Sequence, residues 1–122
     1  MGTEIHSHKD LIVWQKSMDL IVFVYRYTEQ FPKSEIYGLV SQMRRSAVSI
    51  PSNIAEGRKR GTRKDYRQFL LNAYGSGGEL ETQLEIAGRL NFGEEILRKD
   101  TEKLLDEVMR MLNVMTSKLG SS

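Results

Sequence analysis

The chain has 122 residues, enough for one domain with its own hydrophobic core. It contains no cysteine, which excludes disulfides and thiolate metal sites, and its longest apolar run, from Leu20 to Tyr25, is too short to span a membrane. The net charge of +2 is unevenly spread: residues 58–67 hold six basic residues and one acid, whereas residues 79–107 hold nine acids and four bases. The first ten residues lack an apolar signal core, so we expect a cytoplasmic protein.

The first predicted helix carries two apolar lines. One has the alternating spacing of three and four that marks a helix face: Leu11, Trp14, Met18, Ile21 and Tyr25. The other consists of Val13, Leu20, Val24 and Phe31. Because a helix in a four-helix bundle needs only one apolar line for its own core, we predict that the second line is an oligomer interface. The alternative is that it covers a thick bundle. Pro32 should end the helix.

The second predicted helix begins at Ser34, which suits an N-cap. Its apolar stripe is Ile36, Leu39, Met43, Ala47, Ile50 and Ile54. Pro51 falls inside the helix, removes one backbone hydrogen bond and should kink it near Ala47. Gly57 is predicted to stop it.

The third predicted helix is capped by Thr62, and its stripe is Tyr66, Phe69, Ala73, Gly77, Leu80, Leu84 and Ala87. Three glycines among residues 75–78 would favour a break into two short helices, but the apolar register continues across them. We therefore predict one helix with a closely packed waist. The last stripe is Leu97, Thr101, Leu104, Val108, Met111 and Met115.

These elements predict an all-α fold, an up-down-up-down antiparallel four-helix bundle with its second helix kinked at Pro51. The domain should cover residues 9–119, between a disordered tail at residues 1–8 and a frayed tail at residues 120–122.

Basic residues form the main candidate site. Dense positive charge is typical of surfaces that bind polyanions. The candidate nucleic-acid-binding residues are Arg44, Arg45, Arg58, Lys59, Arg60, Arg63, Lys64 and Arg67. The alternative is a solvated basic turn between helices.

A polar stripe on the second helix is the other candidate: Gln42, Arg45, Ser49, Asn53 and Glu56. We interpret it as a hydrogen-bonded structural seam, with a catalytic or ligand groove as the alternative. It contains no pair of nucleophile and base, and His6 and His8, the only histidines, lie in the predicted tail. We therefore expect no enzyme, no metal and no cofactor.

Several motifs resemble one known family. They include Trp14-Gln15-Lys16, Phe31-Pro32, Tyr37-Gly38-Leu39 and the run SIPSNIAEG at residues 49–57. Residues 9 to 119 resemble the bacterial four-helix-bundle family that includes proteins encoded in 23S rRNA intervening sequences. They are more loosely similar to the accessory protein of diversity-generating retroelements. The resemblance implies a ring-like homopentamer and, for some relatives, binding of RNA or a reverse transcriptase; it does not imply an enzyme.

The leading hypothesis is a non-catalytic oligomer that binds structured, rRNA-like RNA through its basic residues. The alternative is a protein-protein scaffold that docks a reverse transcriptase or a ribonucleoprotein partner. Neither hypothesis places the protein in a membrane.

Overall fold

The computed structural model describes residues 6–120. Four helices contact one another in a cycle, each packing on its two neighbours and not on the helix diagonally opposite. They are α1 Ile12–Thr28, α2 Leu39–Lys59, α3 Arg63–Arg89 and α4 Glu95–Gly120. The predicted up-down-up-down four-helix bundle is thereby confirmed. Within the described part of the chain, no helix is long and apolar enough to cross a membrane.

The ordered chain begins before residue 9. Ser7 caps a short 3-10 helix, His8–Asp10, and accepts a hydrogen bond from the Lys9 backbone at 3.2 Å. The His8 ring packs edge-on against Trp14, with ring centroids 5.2 Å apart. His8 therefore belongs to an ordered cap and not to the predicted tail. The remainder of that tail, residues 1–5, and residues 121–122 lie outside the described residues.

The predicted oligomer interface on α1 is wrong. Its four residues are buried in the chain's own core: Val13, Leu20, Val24 and Phe31. The other line lies at the edge of the bundle, where Met18 is 40% and Tyr25 39% exposed. The buried face of α1 also contains polar residues, which the apolar spacing does not show. The Ser17 hydroxyl donates to the Trp14 carbonyl and the Thr28 hydroxyl donates to the Val24 carbonyl, both within α1. Because each hydroxyl has a partner, both residues can be buried on the face of the helix that carries Val24.

The start of α2 also differs from the prediction. Lys33–Glu35 form a 3-10 turn, and the helix begins at Leu39, where the Glu35 carboxylate accepts the Leu39 N–H at 3.3 Å. The N-cap residue is therefore Gly38, not Ser34, and the Glu35 side chain pairs with the first amide of the helix. The helix runs through buried Pro51, as predicted, while the kink near Ala47 stays a prediction.

Gly57 does not end α2, which continues to Lys59. A β-carbon at Gly57 would lie 2.6 Å from the Phe69 β-carbon, closer than atoms can pack. Glycine is needed at this position because α2 and α3 approach closely before their turn.

The prediction of one continuous third helix is confirmed, and Thr62 caps it by accepting the Asp65 N–H at 3.1 Å. A β-carbon at Gly77 would overlap the Met109 sulfur of α4, which confirms the closely packed waist. The buried face of α4 is rotated from the predicted stripe. It is centred on Thr101, Leu105, Val108, Met109, Leu112 and Thr116, while the predicted Leu104, Met111 and Met115 lie at its edge.

Candidate nucleic-acid interface

The turn between α2 and α3 gathers positive charge at one end of the bundle. Arg60 closes α2, and Gly61 and Thr62 lead directly into α3, so the basic residues on both sides of the turn lie near one another. The two helices approach each other closely at Gly57, just before this turn. We call this surface the basic end; its members are Arg58, Lys59, Arg60, Arg63, Lys64 and Arg67.

Two of these arginines are held by the last turn of α4. Arg63 donates to the carbonyls of Leu119 and Lys118 at 3.1 and 2.7 Å, and Arg67 donates to the Thr116 carbonyl at 3.0 Å. The last carbonyls of a helix lack partners within it and carry the negative end of its dipole. Arg63 and Arg67 therefore have a structural role as well as a charge.

The remaining members of the basic end are exposed. Arg60 lies 4.8 Å above the Phe69 ring and pairs with Glu56 at 3.0 Å. Lys59 and Lys64 are exposed and form no ion pair within residues 6–120. An open pocket of about 340 Å³ lies at the turn, and Tyr66 lines it beside the arginines. Burial raises the pKa of the Tyr66 hydroxyl, against a smaller opposing effect of the Arg58 charge.

Arg44 and Arg45 are not part of the basic end, so the predicted eight-residue set divides into two. With a rise of 1.5 Å per helical residue, Arg45 lies about 20 Å along α2 from Arg58. Arg44 contacts α1: its guanidinium donates to the Thr28 hydroxyl at 3.0 Å and lies 4.2 Å above the Tyr25 ring. Arg45 is exposed.

The predicted polar stripe divides in a similar way. Its central residues form a hydrogen-bonded seam between α2 and α3: the Ser49 and Ser76 hydroxyls are 2.8 Å apart, and the Asn53 amide donates to the Ser49 carbonyl at 2.9 Å. Glu56 pairs with Arg60 instead. Gln42 and Arg45 lie apart from the seam.

Those two residues line a polar groove of about 510 Å³ on the α2–α3 face. The other residues of the groove are Tyr37, Ser41, Ser46, Glu79 and Gln83. Gln83 is 9% exposed, and its Oε1 has no hydrogen-bond partner among the described residues. The sequence did not predict this groove. Gln83 is a polar residue between the apolar Leu80 and Leu84, and the spacing of apolar residues does not show that the Gln83 side chain is buried.

A second groove, of about 570 Å³, lies between α1 and α2 and is largely apolar. Tyr37 is 95% exposed at its edge, with Ile36 at 53% and Val48 at 41%. Large apolar side chains exposed together are typical of interaction surfaces. Neither groove holds a metal-binding set, since residues 6–120 contain no cluster of three or more histidine or acidic ligands.

The fold is that of a four-helix-bundle protein whose basic residues are concentrated at one end. A family model for the 23S rRNA-intervening sequence protein matches residues 9–114, and the chain belongs to this family. Among solved structures it is similar to a protein of unknown function from the S23 ribosomal protein family of Bacteroides thetaiotaomicron VPI-5482. The two chains share 22% identity at a TM-score of 0.77, over 86% of this chain and 98% of the other. That likeness concerns the fold. No curated protein matches the chain.

Proposed function

We propose that this protein is a non-catalytic RNA-binding oligomer of the cytoplasm, which contacts structured RNA through the basic end and needs no metal or cofactor. The observation that supports the proposal is the concentration of charge around one short turn, with six basic residues and one acid in residues 58–67. Phosphate groups are the partners that such a surface attracts most strongly.

The internal contacts of the basic end favour recognition of a folded RNA. Arg63 is fixed on α4 carbonyls and Arg60 on Phe69, so part of the charge has a defined position. Lys59 and Lys64 are exposed and able to adjust. Double-stranded RNA is recognised mainly by the shape and spacing of its backbone, which a rigid patch of charge with mobile lysines at its edge can match.

The test compares two double variants with the same change in charge. Lys59→Ala with Lys64→Ala removes two exposed charges from the basic end, while Lys33→Ala with Lys103→Ala removes two exposed charges elsewhere. Binding of an rRNA stem-loop is measured across a salt series. We expect only the first variant to bind more weakly than the parent protein. The slope of log K against log salt concentration should be less steep by about 0.7–0.9 for each phosphate that this variant no longer neutralises. Equal binding by both variants would refute the assignment of the site.

Oligomerisation is the second part of the proposal, and the resemblance leads us to expect a homopentamer. Repeated copies would multiply a weak RNA contact through avidity. The groove between α1 and α2 supports the proposal, because Tyr37, Ile36 and Val48 expose apolar surface there.

A substitution in this groove tests for the oligomer. Val24→Glu is unsuitable because Val24 is in the core and its replacement would unfold the protein, whereas Val48 is exposed in the groove. Val48→Glu should lower the mass found by light scattering while helical content persists. A monomeric parent protein at micromolar concentration would contradict the proposal.

The same apolar groove favours a second candidate function, a scaffold that docks a reverse transcriptase or ribonucleoprotein partner. A protein partner would cover the exposed Tyr37 and Ile36 and would not require the basic end. The scaffold function predicts that Val48→Glu abolishes capture of the partner and that the Lys59 and Lys64 variant does not. The RNA-binding function predicts instead that the Lys59 and Lys64 double variant loses more affinity for RNA than Val48→Glu does.

A further inference from the structure

The open pocket at the turn between α2 and α3 divides the basic end into two parts. Three of its arginines line the pocket, namely Arg58, Arg60 and Arg63, whereas its two lysines lie outside. Among the described residues no acidic side chain lines the pocket. Its volume of about 340 Å³ is at the lower end of the range for small-ligand sites. We call it the turn pocket, and its size and lining suit one compact anionic group.

Internal contacts fix the positions of two of these arginines. Arg60 lies 4.8 Å above the Phe69 ring, and Arg63 donates to the Lys118 carbonyl at 2.7 Å. A ring face and a carbonyl carry no net charge, so these contacts place the guanidinium groups without neutralising them. Arg60 also pairs with Glu56 at 3.0 Å, but both side chains are about half exposed, and exposed pairs of this kind are weak. A phosphate group in the pocket can therefore compete with Glu56 for Arg60.

The arginines of the turn pocket favour a terminal phosphate over an internal one. A guanidinium group donates two parallel hydrogen bonds to a phosphate, whereas a lysine acts as a point charge. A phosphate monoester carries up to two negative charges and three acceptor oxygens, and each internal phosphate of a strand carries one charge. Thr62 also lines the pocket; its oxygen accepts the Asp65 N–H, and its hydroxyl hydrogen can donate to a phosphate. Several donors around one small pocket match the monoester better.

We infer that the turn pocket binds the terminal phosphate of an RNA strand, with Arg58, Arg60 and Arg63 contacting the phosphate oxygens. Lys59 and Lys64, outside the pocket, then contact internal phosphates of the same RNA. The inference rests on the proposed function, because it names the part of the RNA that the basic end recognises. The protein would thereby distinguish the end of an RNA strand from continuous backbone, a distinction that charge density alone does not provide.

The main experiment compares stem-loops of one sequence whose strand end carries a hydroxyl group, a 5′-phosphate or a 3′-phosphate. We expect at least one phosphorylated form to bind about tenfold more tightly than the hydroxyl form, the effect of one charge-assisted hydrogen bond or more. Arg58→Lys with Arg60→Lys keeps the net charge and should remove this preference, because lysine cannot form the paired hydrogen bonds. A preference that survives this variant would overturn the inference. Lys59→Ala with Lys64→Ala should weaken all forms by the same factor.

A change at Glu56 should act in the opposite direction. Glu56→Gln removes the carboxylate that competes for Arg60, so the preference for the phosphorylated stem-loop should rise by about twofold. Glu85→Gln is the matched control, since Glu85 forms the same kind of pair with Arg89 at 3.0 Å in the last turn of α3. It makes the same change in net charge and should leave the preference unchanged. Equal effects of the two variants on the preference would overturn the inference.

Trinucleotides, which are too short to fold, separate the inference from the proposed function. Their binding with and without a terminal phosphate is measured by calorimetry, beside that of adenosine monophosphate. If a phosphorylated trinucleotide is preferred and no stem-loop binds, the proposed recognition of structured RNA fails and the inference stands. If all stem-loops bind equally whatever their ends, the proposed function stands and the inference is overturned. It is overturned as well if adenosine monophosphate binds as tightly as the phosphorylated trinucleotide, since the pocket would then serve a free nucleotide.

Discussion

The waist between α3 and α4 allows a matched test of packing at two neighbouring glycines. A β-carbon at Gly77 would overlap the Met109 sulfur, whereas a β-carbon at Gly78 would meet no atom within 4 Å. Gly77→Ala and Gly78→Ala add the same atom to the interior of one helix. Both gain about 1 kcal/mol in helix propensity. The difference between their free energies of unfolding is therefore the cost of the contact with Met109.

The size of that cost follows from the surroundings of Met109. The residue is 7% exposed and belongs to the core, so its thioether must move among packed side chains to admit the new atom. Inserting one carbon into a well-packed core costs about 1–3 kcal/mol. Gly78→Ala should raise the free energy of unfolding by about 1 kcal/mol. Gly77→Ala should change it by about 0 to −2 kcal/mol, the propensity gain less the packing cost.

Urea denaturation followed by circular dichroism measures both values. Equal stabilisation by Gly77→Ala and Gly78→Ala would refute the closely packed waist. A double-mutant cycle of Gly77→Ala with Met109→Ala adds a check, because the smaller side chain at Met109 makes room for the new atom. The effect of Gly77→Ala should then become favourable, with a coupling energy of about 1 kcal/mol or more.

Three further substitutions test single contacts, each by the shift in urea midpoint. Gly57→Ala should destabilise by about 0–2 kcal/mol net, because its β-carbon would lie 2.6 Å from that of Phe69; an increase in stability would contradict the close approach of α2 and α3. Thr62→Ala should cost about 1 kcal/mol through loss of the cap, and an unchanged midpoint would show that the cap is not stabilising. Ser76→Ala should cost about 1 kcal/mol through loss of its hydrogen bond to Ser49, whereas Ser52→Ala, whose hydroxyl bonds only within its own helix, should be nearly neutral.

The architecture could be predicted from the sequence because the 3-4 spacing and the turn residues act locally. Thr62 lies beside the amides that it caps, and the apolar register of α3 continues through its glycines. The orientation of α1 could not be predicted in the same way. Its buried face includes Ser17 and Thr28, and whether a hydroxyl is buried depends on a hydrogen bond to its own helix that spacing does not encode.

Only part of the basic end could be predicted from the sequence, because its charge is local in the chain while several of its contacts are not. Charge density alone locates the basic end, since the residues on either side of a two- or three-residue turn must be close in space. It does not show that Arg63 binds the end of α4, or that Arg44 lies over Tyr25, because those partners are distant in sequence. Gln83 is the strongest case: its unpartnered Oε1 exists only in the assembled bundle.

The alkaline limit of stability should depend on Tyr27, which joins α1 to the α3–α4 turn. Its hydroxyl donates to the Phe92 carbonyl at 2.7 Å, and burial raises its pKa above the ordinary value of 10.0. In the unfolded chain the hydroxyl loses its proton first as pH rises. The contribution of Tyr27 is therefore complete below pH 10 and is lost as pH rises through the folded-state pKa, at up to about 1.4 kcal/mol per pH unit.

Tyr27→Phe separates this effect from the titration of lysines, which both proteins share. Near neutral pH the variant should be less stable by about 1 kcal/mol, since the Phe92 carbonyl loses its donor. Above pH 10 the parent protein should lose stability faster than the variant, because only the parent holds a hydroxyl that must stay protonated. The two free energies of unfolding should therefore converge in urea titrations taken at successive alkaline pH values. A gap that stays constant through that range would mean that Tyr27 ionises as readily in the folded protein as in the unfolded chain, and that its burial between α1 and the α3–α4 turn does not control its proton.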